Sequence, residues 1–186
     1  MTVNEEVEAF YAALGRAITQ WAAVEYGLKE TYHASLGDVS FWMCSAVFYA
    51  VDSFRAKLQM VDAAVKMATP QRLQDWQKLH ARIEAKATIR NKLAHFTVIN
   101  FPQGKSGRRI NLRPNIFDPR HLPINSKRPM GGYFLQDLEA IPGQFSSLAH
   151  ALENFAARVG GKKEPWPKHL ELEPQQRPKA VPRKNS

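Results

Sequence analysis

The chain has 186 residues, 44% of them hydrophobic, and a formal charge of +9, a length and composition that suit one soluble domain able to bury a proper core. The longest nearly apolar run, residues 42–51, is about half of the ~20 residues a membrane-spanning helix needs, and the amino terminus lacks a basic region followed by an apolar signal core, so the expectation is a cytoplasmic protein with no membrane attachment. The lone cysteine, Cys44, excludes an internal disulfide and a cysteine-based metal cluster; among Phe41, Trp42, Val47 and Phe48 it reads as a buried free thiol.

From about residue 4 to 35, Val7, Phe10, Leu14, Ile18, Trp21, Leu28 and Tyr32 recur at steps of three, four or seven, which is one stripe of a helix. Gly37 and Asp38 break it. Residues 39–68 read as a second helix running through Trp42, Phe48, Val51, Phe54, Leu58, Val61 and Val65. Thr69 then stands where it caps a third helix, with Pro70 in the first turn. That helix carries Leu73, Trp76, Leu79, Ile83, Ala87 and Leu93 and reaches His95 or Phe96.

Residues 98–135 lose the helical period. TVINFPQ and RRINLRP flank Gly104 and Gly107, the pattern of a short hairpin with a basic tip, and five prolines (Pro102, Pro114, Pro119, Pro123, Pro129) favour an extended excursion over a second domain. Phe145, Leu148, Leu152, Phe155 and Val159 then form a fourth helical stripe, ended by Gly160 and Gly161. The expected fold is an all-α four-helix bundle over residues 1–161, with a basic, hairpin-bearing insertion at 98–135 between the third and fourth helices. Residues 162–186 form a basic, proline-rich tail expected to be extended or disordered.

The charge follows the same division. The insertion holds seven Lys/Arg (Lys105, Arg108, Arg109, Arg113, Arg120, Lys127, Arg128) against Asp118, and residues 160–186 hold seven against three glutamates, so the helical body is nearly neutral. Cations confined to these segments suit a polyanion such as RNA; solvated loops that keep the protein soluble explain them equally well. Lys105, Arg108, Arg109 and Arg113 are the candidate RNA-binding residues.

The third helix ends in RNKLAH, residues 90–95. On a wheel of about 100° per residue, Arg90 falls in the middle of the apolar stripe, with Asn91 and His95 together on one flank, four residues apart. An isolated buried arginine costs several kcal/mol. Glu25, on or near the apolar face of the first helix, is the candidate partner; a buried Arg90–Glu25 pair that fixes helix register, with His95 an ordinary terminal cation, is the plainer explanation of all three residues.

RNKLAH near the end of the third helix of an all-helical domain resembles the signature of the HEPN superfamily, and WAAVEYGLKETY and SFRAKLQMVDAA resemble its Abi-like and toxin-like branches. The likeness covers roughly residues 4–97 and 136–159. It implies a homodimer with the two motifs facing each other across a cleft, and metal-independent cleavage of RNA in a toxin or phage-defence setting. By matching position, His95 would be the general base on the ribose 2′-hydroxyl or the acid for the leaving 5′-oxygen, Arg90 would hold the scissile phosphate, and Asn91 would orient the phosphate or the imidazole. An antitoxin protein is a further candidate partner. The branch paired with nucleotidyltransferase antitoxins carries a tyrosine two residues after the histidine, where this chain has Thr97, which speaks against inactivation by that kind of partner.

The chemistry stands on its own terms. RNA holds its own nucleophile, so an enzyme needs to move a proton and stabilise the phosphorane; base catalysis supplies typically about 10²–10⁴-fold. Histidines titrate at roughly pH 6.5, near working pH, and arginine's planar fork suits phosphate. No metal or cofactor is expected. His121 and His150 lack a companion at metal-ligand spacing, Gly104 and Gly107 do not make a phosphate loop, Ser146 and Ser147 lack a nucleophile elbow, and Lys57 reads as a solvated flank. Trp42 and Trp76 read as core or dimer surface. Two other classes remain open: a catalytically silent helical dimer that binds RNA or a protein, and a bundle whose interior arginine holds a small anion.

Overall fold

The computed structural model describes residues 3–100, 110–114 and 132–160. Five helices and a two-stranded sheet run in chain order: α1 (Val3–Leu36), α2 (Phe41–Ala50), α3 (Phe54–Ala68), a 3-10 turn (Pro70–Arg72), α4 (Leu73–His95), β1 (Thr97–Asn100), β2 (Ile110–Arg113) and α5 (Leu135–Gly160). The predominantly helical fold is as expected, but the predicted second helix is two helices, so the described bundle has five helices rather than four. Val51 is extended (φ −85°, ψ 117°), and the Ser53 side chain accepts from Ala56 N–H at 3.1 Å to cap α3, because a hydroxyl there satisfies a first-turn donor that a continuous helix would bond itself. Thr69 caps no helix with its side chain. Its hydroxyl turns back to the Val65 carbonyl at 3.0 Å, and Pro70 opens the 3-10 turn before α4 begins.

Gly37, at φ +69°, ends α1 in the left-handed region that glycine adopts without strain. The buried face of α1 is Phe10, Ala13, Ala17, Trp21, Val24 and Leu28, whereas Ile18, placed on the stripe by its spacing, is exposed. Trp21 meets the Phe145 ring, Gly27 the side chain of Leu152, and Gly160 the side chain of Ala34. Partners advance together, so α1 and α5 run parallel. Trp76 meets Phe155 and Lys86 meets Gln144, so α4 runs antiparallel to α5. The core lies between these helices and takes in Leu58, Val61 and Val65 of α3.

The α1–α5 contact depends on missing side chains at Gly27 and at Gly160, where a Cβ would stand 2.9 Å from Ala34 Cβ. A Cβ on Gly27 would stand 2.9 Å from Leu152 Cβ and 3.2 Å from the Ala149 carbonyl oxygen, whereas a Cβ on Gly15 would meet nothing within 4 Å. Gly27→Ala is therefore expected to destabilise by about 1–3 kcal/mol through overpacking, and Gly15→Ala to stabilise by about 0.5–1 kcal/mol through helix propensity. Urea melts of the two variants would check the opposite signs.

The predicted hairpin strands form as β1 and β2, antiparallel, with Thr97 opposite Arg113 and Asn100 opposite Ile110. Their β-branched residues suit a pleated surface. Leu112 exchanges both backbone hydrogen bonds with Tyr133 at 2.9 Å, and Ile110 and Leu112 are buried, so the sheet packs onto the bundle. The hairpin tip, most of the basic insertion and the tail after Gly160 lie outside the described residues. Among the described residues no helix is long and apolar enough to cross a membrane.

Candidate functional site

Helix α4 stops where its sequence turns β-branched. Phe96 is already extended (φ −78°, ψ 153°) and leads into Thr97, Val98 and Ile99. Three contacts fix this end: Leu93 is buried, Phe96 lies 6.3 Å from Tyr133 by ring centroids, and Tyr133 is bonded to Leu112. Lys92 and His95 occupy the last turn, where cations complement the helix dipole.

On this end stand the three residues of the motif. Asn91 and His95 are exposed and Arg90 is half-buried. Arg90 Nη1 donates to Asn91 Oδ1 at 3.3 Å. Among the described residues, the His95 side chain has no hydrogen-bond or ion-pair partner. The shared flank of Asn91 and His95 is as the wheel places it; the burial of Arg90 in mid-stripe is not. The apolar layer under α4 is Trp76, Leu79, Ile83 and Leu93, with Ala87 and Ile89 partly buried against it; Arg90 is half-buried within this layer's last turns, and its bond to Asn91 lies exposed.

Glu25 does not pair with Arg90. Its carboxylate accepts from Lys57 Nζ at 3.2 Å and from Trp21 Nε1 at 3.1 Å. Lys57, read as a solvated flank, is 8% exposed, with its ammonium 5.3 and 5.4 Å from the Phe48 and Tyr49 ring centroids. A second buried lysine sits nearby: Lys29 pairs with Glu30 at 2.9 Å and lies 3.7 Å from the Phe41 centroid and 4.3 Å from that of Tyr26. Arg113 is half-buried in β2, while Lys105, Arg108, Arg109 and His121 lie outside the described residues. His150 is on an exposed helix face, 3.3 Å from Glu153, and Trp76 is core, whereas Trp42 is 47% exposed. Among the described residues no three of His, Cys, Asp and Glu converge as metal ligands.

Cys44 is buried, as its neighbours predict, and burial pushes its thiol from 9.0 up to about 11, with Lys29 offsetting part of the rise. Such a thiol is inert as a nucleophile. Burial, and then Glu30, pushes Tyr26 from 10.0 up to about 12; burial also raises Tyr32, Tyr49 and Tyr133. The folded chain keeps these protons when the unfolded chain has released them, so stability is complete below the unfolded values and is lost as pH climbs from about 9 towards about 12. Thermal melts at rising alkaline pH are expected to show a falling midpoint, with Cys44→Ala flattening the first part of the decline.

The sequence reading missed one feature of α4. Lys78, Arg82, Lys86 and Arg90 stand at successive four-residue steps, a spacing visible in the sequence. Taken together, these features describe a helical domain with a half-buried arginine beside an exposed amide and imidazole at one helix end, next to a sheet that packs on the bundle. Comparison with family models, with curated proteins and with solved structures finds no match to this chain.

Proposed function

We propose that the chain is a metal-independent endoribonuclease of HEPN type, acting as a homodimer in a toxin or phage-defence role. The observation that carries this reading is that the polar groups of RNKLAH are offered to solvent: Arg90 bonds to Asn91 rather than to a carboxylate, and His95 is exposed. In the proposed reaction the 2′-oxygen attacks the adjacent phosphorus, the bond to the 5′-oxygen breaks, and the products carry a 2′,3′-cyclic phosphate and a 5′-hydroxyl. One proton leaves the 2′-oxygen and one reaches the 5′-oxygen. Each motif holds one imidazole, and a two-fold pair of motifs supplies one for each transfer. Arg90 supports the charge on the equatorial oxygens.

The test is end-labelled RNA incubated with the purified protein in excess EDTA. Cutting that leaves cyclic phosphate ends is the expected result; cutting that requires an added divalent ion would overturn the metal-independent mechanism. A second reading, a catalytically silent dimer that binds RNA or a protein, draws on α2. That helix carries no charged residue and turns Trp42, Met43 and Val47 to solvent, a surface suited to protein contact.

A further inference from the structure

Helix α4 carries more cations than RNKLAH explains. Lys78 and Arg82 are exposed, Lys86 and Arg90 half-buried. Each four-residue step advances about 6 Å along the axis and turns about 40° around it. The four therefore form an inclined ridge that starts in open solvent at Lys78. It meets the edge of α5 at Lys86, whose Nζ donates to Gln144 Oε1 at 2.6 Å, and it ends at the candidate site.

Acids are kept off this ridge. Between Trp76 and His95 the one carboxylate is Glu84, turned to another flank, where it lies 3.6 Å from His80 Nδ1. Asp75, one turn before Lys78, marks the ridge's outer end. Among the described residues no carboxylate pairs with Lys78, Arg82 or Arg90. Surface helices ordinarily gain from opposite charges at this spacing and lose from like charges, so the ridge works against its own helix unless an anion lies along it. Ala81 and Ala85, both exposed, leave the approach to it open.

We infer that this ridge is the track on which a single-stranded RNA backbone lies as it enters the site; the inference rests on the nuclease reading for its substrate class. The ~6 Å step is close to the span of one nucleotide in an extended strand, so successive phosphates meet Lys78, Arg82 and Lys86 before the scissile phosphate reaches Arg90. A flexible single strand can follow the ridge's turn of about 40° per step, whereas a stiff double helix does not keep successive phosphates on all four positions. The protein's positive charge thus acts as an ordered file on a rigid element in addition to the basic insertion.

Fluorescence anisotropy with 5′-labelled oligouridylates of increasing length, in the His95→Ala background so that the strand survives, tests this over a series of salt concentrations. The Lys78→Glu/Arg82→Glu protein is expected to bind an eight-nucleotide strand at least about tenfold more weakly, with the slope of log K against log salt reduced by about 1.4, or about 0.7 per lost phosphate contact. Arg55→Glu/Arg158→Glu, the same charge change at exposed positions off the ridge, is the control, and circular dichroism checks that each protein is folded. Unchanged affinity and slope in the ridge variant, or equal losses in ridge and control variants, would overturn the track, as would tighter binding of duplex than of single strand. Binding with the expected loss by a chain that cuts no RNA would uphold the track and remove the nuclease reading. Cutting by a chain whose ridge variant keeps full affinity would do the reverse.

Discussion

His95→Ala is expected to cut RNA about 10²–10⁴ times more slowly than the parent chain, the usual worth of a positioned proton-transfer group. Because the imidazole is exposed, its removal is expected to change folding stability by no more than about 0.5 kcal/mol. Arg90→Ala is expected to lose about 10²–10³-fold, the scale of one donor on a developing oxyanion. Arg90→Lys is expected to restore only part of that loss, since an ammonium keeps the charge and gives up the planar fork. Single-turnover cleavage beside urea melts separates this from a structural role. Arg90→Ala protein that melts early yet cuts normally would assign the residue to stability, and an unchanged rate in His95→Ala would remove the imidazole from the chemistry.

The second large effect concerns Glu25. Removing one partner of a buried ion pair typically costs about 3–5 kcal/mol, and the lower end applies here because the Glu25 side chain keeps 23% of its exposure while that of Lys57 keeps 10%. Glu25→Ala is therefore expected to cost about 3 kcal/mol, since it strands the Lys57 ammonium and leaves Trp21 Nε1 without its acceptor. Lys57→Met is expected to cost less, because Glu25 retains Trp21 and partial access to water. Glu25→Gln with Lys57→Met keeps an acceptor for the indole and removes both charges, so it is expected to approach the parent in stability. A double-mutant cycle by urea unfolding measures the coupling. Residual cleavage by the folded fraction of Glu25→Ala is expected to match the parent; a selective loss of rate without loss of stability would instead give Glu25 a part in the reaction.

Where the sequence is readable, the physics is local. Gly37 ends α1, TVIN and INLR form strands because branched side chains suit a pleat, and Cys44 is buried by its aromatic neighbours. Other features depend on what lies opposite. The break at Val51–Asp52–Ser53 is hidden by apolar residues on both sides, although Ser53 three residues before Ala56 is a capping signal. Arg90 and Ile18 show the limit of a helical wheel, which gives an angle but not how far the neighbouring elements cover it. Lys57 shows the converse: a lysine between apolar residues suggests a reach to solvent, and its partner lies on another helix. The imidazole–amide flank is legible because both groups belong to one helix and four residues separate them.

The parallel pairing of α1 with α5 also governs the order in which the protein can be made. On the ribosome α1 emerges well before α5, but Phe10, Ala13, Ala17, Val24 and Leu28 find much of their cover only when the segment containing Phe145 and Leu152 has been translated. Such distant contacts delay folding until most of the chain exists and leave early apolar surface to chaperones. A nascent chain that carries RNKLAH but not yet α5 has the residues of the candidate site without a finished bundle to hold them. A cell making this protein would therefore meet any activity of the site only after synthesis of that late helix.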